Sequence, residues 1–140
     1  MMDEVSGILR ATPELVLVWR VIIYLCALYL MLLAAVIFFR RDWAMAFFGG
    51  FASTPNLNAI EVALRFLAGI AFMGVASETR FPEVSFYFGL FLAVSALAML
   101  PLYRMHKRFA DVVMKALPAF LPLMGLGSLI FAGLIIYGIN

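Results

Sequence analysis

Glu61 and Arg65 stand four residues apart in a stretch otherwise made almost wholly of leucine, alanine, isoleucine, valine and phenylalanine. On a helix that spacing stacks the two side chains on one face, one turn apart, so they can pair without help from another element. Arg65 falls more than two turns beyond Pro55. At that depth in a bilayer an unpaired charge costs about 2.5–3.5 kcal/mol, so something must compensate it. Two readings follow. In one, the pair is an intrahelical ion pair, aided by Asn58 and by carbonyls or hydroxyls of neighbouring helices, that fixes how this helix faces the others. In the other, Asn58, Glu61 and Arg65 line a small polar cavity that binds an anion, a proton or a headgroup, with Arg20 as a fourth candidate.

The remaining chemistry-bearing residues are few. Arg20 follows Trp19 near the start of an apolar run, where its long side chain can snorkel to the outer interface; turned inward, it would meet Glu78 or Glu83. Tyr24 and Tyr29 are the other polar groups of that run, expected to hydrogen-bond neighbouring helices. His106 is the only histidine and falls in a basic stretch, which predicts a solvated surface residue; alone it makes neither a bis-histidine haem nor a zinc site. Cys26 is the only cysteine, so no disulfide or thiolate cluster forms within one chain. There is no serine in a glycine elbow, no glutamate–histidine helix motif and no phosphate-cradling glycine loop. No catalytic set, cofactor site or metal site is expected, and the nine methionines and fourteen phenylalanines read as bundle filling and lipid-facing surface.

The elements that must position these residues follow from composition. Of 140 residues, 66% are hydrophobic and 13% charged, about half the charge of a soluble domain. The bilayer must act as solvent for most of this surface, and a single transmembrane domain is expected. Four apolar runs mark spans at 15–39, 57–76, 84–103 and 116–139. The second begins at Ser53-Thr54-Pro55-Asn56, where a hydroxyl cap precedes a first-turn proline. The fourth carries Pro118 and Pro122 in its first two turns, where a bend is expected. The first run follows acidic residues and precedes Arg40 and Arg41, the reverse of a signal peptide's charge order, and predicts a retained helix.

Between spans three and four, Arg104, Lys107, Arg108, Asp111 and Lys115 recur at helical spacing against Met105, Phe109, Val112 and Val113. This predicts a short basic interfacial helix on anionic lipid headgroups. The uncharged stretch Trp43-Ala44-Met45-Ala46-Phe47-Phe48-Gly49-Gly50-Phe51 should dip into the interface as an aromatic anchor or gate. The fold class is therefore an all-α four-transmembrane-helix bundle. Its helices should meet at small residues: Gly69 with Ala59, Ala63 and Ala68 on the second; Ser85, Gly89 and Ala93 on the third; Gly125, Gly127, Ser128, Ala132 and Gly133 on the fourth.

Counting lysine and arginine by side, Arg10, Arg20 and Arg80 oppose Arg40, Arg41, Arg104, Lys107, Arg108 and Lys115. The positive-inside rule then puts loops 40–53 and 104–115 in the cytoplasm and both termini outside. A net charge of +2, scattered along the chain, gives no basis for nucleic-acid binding.

The pattern Asn58-x-x-Glu61-x-x-x-Arg65-x-x-x-Gly69, entering a short helix, resembles small DoxX-like four-helix membrane proteins of bacteria. The resemblance extends to the helix order and the basic connector, and the residues that carry over are Glu61, Arg65 and Gly69. It implies a four-helix bundle, usually of unassigned role and sometimes attached to oxidoreductase or quinone-linked systems. The functional expectation is a non-catalytic subunit or accessory factor of a membrane complex, in a bacterial inner membrane. Its rivals are a carrier or binder of a small anion, proton or lipophilic ligand (lipid or quinone) at Glu61 and Arg65, and a membrane enzyme using Arg65 as a clamp and Glu61 as base. Homo-oligomers and protein partners both remain open.

Overall fold

The computed structural model describes residues 1–50 and 54–140, and among these all regular structure is helical. The order is α1 (Met2–Leu9), α2 (Pro13–Phe39), α3 (Arg41–Gly50), α4 (Pro55–Val75), a 3₁₀ turn (Ala76–Glu78), α5 (Pro82–Met99) and α6 (Tyr103–Ile139). Helices α2, α4 with its 3₁₀ turn, α5 and α6 are long and apolar enough to cross a membrane. Phe51 and Ser53, the end of the aromatic stretch and the first residue of the expected cap, lie outside the described residues.

The helix starts share one device. Proline occupies the first turn of α2, α4 and α5, where its missing N–H is no loss. Thr12 and Thr54 precede the first two, and their hydroxyls accept from the N–H of Leu15 and Leu57. Helix α5 stops at Met99, short of the expected 103, because Pro101 cannot continue it.

At the other end of the chain, α6 runs unbroken for 37 residues, about 55 Å at helical rise. The basic segment 104–115 is thus not a separate short helix but the first turns of the fourth spanning helix. Helical period holds on both sides of Pro118 and Pro122, so nothing between them ends the helix. Pro122 has no N–H for the carbonyl of Pro118 four residues back; the Arg41 side chain donates to that carbonyl instead.

Packing follows the small residues, unequally. A Cβ built on Gly69 would lie 2.6 Å from the Gly89 carbonyl and 2.7 Å from the Ala93 nitrogen, so α4 and α5 touch backbone to backbone. Ser85, half-buried on the same face of α5, donates its hydroxyl to the Phe72 carbonyl at 3.1 Å. Gly74 receives the Trp19 ring of α2, and Gly125 receives Ile37 and Phe38. Ala132 is buried and Ser128 half-buried on the side of α6 that faces α2. Gly127 and Gly133, in contrast, face open space, and Ala59 and Ala63 are exposed. Helix α2 lies against α4 through Ile23, Ala27, Ala71, Phe72 and Val75. Outward-facing leucine, valine and phenylalanine cover the rest. In water that surface would be untenable, and in lipid it is neutral.

Both termini lie at one end. There α1, ahead of the first expected span, docks Met2, Val5 and Leu9 beside Met73, Ala76 and Phe86. The Ser6 hydroxyl donates to the Met73 carbonyl, and Tyr24 donates to the Asn140 side chain.

Candidate functional site

Asn58, Glu61 and Arg65 sit on one face of α4 because three and four residues return a helix to the same azimuth. Arg65 Nη2 donates to Glu61 Oε1 at 2.9 Å, the intrahelical pair that the spacing predicts. Glu61 is well covered, with 14% of its side chain exposed, while Arg65 is about a third exposed.

The second Glu61 oxygen is also engaged. His106 of α6 places Nε2 3.5 Å from Glu61 Oε2, with the imidazole itself 20% exposed. The expectation of a solvated surface histidine is therefore corrected: His106 is the third member of the cluster. It gets there because Tyr103, His106, Ala110, Met114 and Leu117 form the inward-turned stripe of early α6, at intervals of three and four. The same stripe leaves Met105, Phe109 and Val112 fully outward, beside Arg104, Lys107 and Arg108. Signal for this stripe was present in the periodicity; its partner, 45 residues away, was not.

One turn before Glu61, Asn58 is 3% exposed, and its Oδ1 is buried without a hydrogen-bond partner among the described residues. A buried amide oxygen left unpaired costs about 1–3 kcal/mol, so this atom calls for a donor. Tyr29 of α2 tilts its ring against Phe47 of α3, with centroids 6.3 Å apart.

Arg20 does not join these residues. It stands at the terminus-bearing end, with Nη1 3.3 Å from Glu78 Oε2, while Arg10 Nη2 donates to Glu78 Oε1 at 2.9 Å. The Arg20 contact is an ion pair without hydrogen-bond alignment, since Oε2 accepts no directed N–H. Arg10 also donates to the Ser77 hydroxyl, and Trp19 Nε1 donates to the Leu9 carbonyl at 2.7 Å. Glu78 thus bridges α1 to α2, the inward option for Arg20. Glu83 makes no ion pair among the described residues.

No protein-family model, curated protein or solved structure matches this chain. The site must therefore be judged on its own groups. Among the described residues no three histidine, cysteine or acidic side chains converge as a metal site would need. What does converge is one carboxylate held between a fixed cation and an imidazole, with an acceptor lacking a donor one turn away. A carboxylate and an imidazole in contact can exchange a proton; an arginine, always charged, can only bias where it rests.

Proposed function

We propose that this chain is a small polytopic membrane protein with no reaction of its own, built around a proton-binding site formed by Glu61, Arg65 and His106. The contact between His106 Nε2 and Glu61 Oε2 carries this reading, because it brings the only histidine to the one carboxylate of α4 and ties α4 to α6. Ionisable groups inside a membrane domain mark ion and proton paths by default. The charged groups stand close together, at 2.9 Å for Arg65 to Glu61 and 3.5 Å for His106 to Glu61. Between such closely placed side chains a proton fits, with a water to satisfy Asn58 Oδ1.

The site's placement supports the same reading. Arg40, Arg41, Arg104, Lys107, Arg108 and Lys115 gather at its end of the bundle, which the positive-inside rule makes cytoplasmic in a bacterial inner membrane, with both termini outside. There the open Met105, Phe109 and Val112 face, flanked by basic side chains, lies among anionic headgroups. Labelling of Lys107→Cys and Asp3→Cys in a Cys26→Ala background with an impermeant reagent checks that orientation.

Because the chain has one histidine, isotopic labelling of histidine gives a single imidazole signal in magnetic resonance. The pH response of that signal, recorded in lipid, is expected to change with Glu61→Gln and to stay put with Glu83→Gln. An imidazole titration that is indifferent to Glu61→Gln would refute the site.

A second reading, a subunit of a larger membrane assembly, is favoured by one observation. A Cβ built on Gly127 or Gly133 of α6 would meet nothing within 4 Å, and open small residues on a spanning helix let another helix approach closely. Gly127→Leu separates the two readings: it blocks association while leaving the His106 titration unchanged.

A further inference from the structure

At the opposite end from the polar cluster, α2, α4, α5 and α6 leave a cavity of about 210 Å³. Its wall is formed by Ile23, Phe72, Phe88, Phe131, Leu134 and Ile135, with Phe88 edge-on to both other phenylalanines at 5.0 and 5.2 Å. Only Thr79 and Ser85 among its lining side chains are polar, and neither hydroxyl is free. Thr79 donates to the Ala76 carbonyl at 2.8 Å and Ser85 to that of Phe72 at 3.1 Å. A site with no polar group to spare does not hold water and accepts hydrocarbon. It opens towards lipid between α5 and α6, where Phe81, Val84 and Leu134 are exposed.

Arg80 stands at the rim. Its backbone N–H donates to the Gly138 carbonyl at 2.8 Å and its Nε to that of Tyr137 at 3.0 Å, so it caps the C-terminal carbonyls of α6. The guanidinium is held 4.7 Å over the Tyr137 ring. Its neighbours Thr79 and Phe81 and its acceptor Gly138 all line the cavity. Arg10 and Arg20 share Glu78, but Arg80 has no carboxylate among the described residues, and its two terminal nitrogens make no hydrogen bond there.

We propose that this crevice is a lipid site that takes one acyl chain of an anionic phospholipid, whose phosphate lies on the terminal nitrogens of Arg80. An exposed cation, anchored through Nε and with both terminal nitrogens uncommitted among the described residues, suits a phosphate, and the dry slot beneath it suits the chain attached to that phosphate. The surrounding bilayer supplies the molecule. This site is independent of the proton-binding reading: it shares no residue with the Glu61 cluster and lies at the other end of the bundle.

Native mass spectrometry of the detergent-solubilised protein tests it, with phosphatidylglycerol, phosphatidylcholine and a free fatty acid each added in turn. The expected result is retention of one phosphatidylglycerol more tightly than phosphatidylcholine by about fivefold, the worth of one arginine at a membrane surface. Arg80→Gln should remove that preference and one bound phosphatidylglycerol, leaving any lipids held by the basic end in place. Leu134→Trp, at an exposed lining position, should block the slot and weaken both phospholipids while thermal stability is kept. Equal retention of the two phospholipids by the unmodified protein, a preference that survives Arg80→Gln, or retention of the fatty acid alone would each overturn the proposal.

Discussion

Replacing Gly69 by alanine adds one methyl group at the closest approach in the bundle, and the structure indicates what it meets. The added carbon would lie 2.6 Å from the Gly89 oxygen and 2.7 Å from the Ala93 nitrogen, against 3.4 Å or more for an ordinary contact. Both obstacles are main chain, so no side chain can turn aside, and α4 and α5 must part by most of about 0.8 Å. Overpacking of this kind costs about 1–3 kcal/mol, and a rigid neighbour puts it in the upper half. Alanine also returns up to about 1 kcal/mol of helix propensity, which hides part of the penalty. Gly127→Ala provides the correction. Nothing lies within 4 Å of its Cβ, so it gains propensity without a clash, and the difference between the variants isolates the packing term. Reversible unfolding in mixed micelles, followed by circular dichroism, should separate the two by about 1–3 kcal/mol, with Gly69→Ala the weaker protein. Identical unfolding curves would refute the claim that this pair of backbones holds α4 to α5.

Other expectations rest on polar contacts. Arg65→Met should leave Glu61 with His106 alone, and Glu61→Gln should leave Arg65 uncompensated, at about 2.5–3.5 kcal/mol; the double variant should be less damaged than the sum, as a double-mutant cycle on unfolding would show. Glu78→Gln should change global stability little, since both arginine partners are a third or more exposed and ion pairs reached by solvent contribute about 0–1 kcal/mol. It should nonetheless speed amide exchange in α1, because Arg10 loses its carboxylate. Arg41→Ala should weaken the protein only while Pro122 is present; with Pro122→Ala the helix N–H satisfies the Pro118 carbonyl, and unfolding measurements should then no longer register loss of the arginine.

The spans were legible in the sequence because bilayer thickness sets a length that four apolar runs meet. The Glu61–Arg65 pair was legible because both partners lie on one helix and four residues fix their relation. Other features depended on relations between elements. Helix α1 carries Met2, Val5 and Leu9 at three- and four-residue spacing, a weak amphipathic signal in so short a segment, and only the Glu78 bridge and the Ser6 bond reveal what it docks on. The unity of α6 was hidden by its change from a basic to an apolar stretch and by two prolines that point to a bend; in this bundle an arginine from α3 answers one freed carbonyl.

His106 teaches the sharper lesson. In sequence it belongs to a basic, amphipathic segment whose polar face should be wet, and Arg104, Lys107 and Arg108 beside it are indeed exposed. A helix face is narrower than a charge run, however. The azimuth that turns Tyr103, Ala110 and Met114 towards the bundle takes His106 with it and turns the lysine and arginine neighbours away. An inward imidazole among apolar residues needs a partner, and the uncommitted oxygen of Glu61 is the acceptor within reach. The two ends of the bundle therefore use carboxylates in different ways. Glu78 sits between two arginines, neither of which can release a proton, and so works as a fixed tie between α1 and α2. Glu61 sits between one arginine and one histidine, and the proposed proton site rests on that replacement of a permanent cation by a group that can gain or lose a proton.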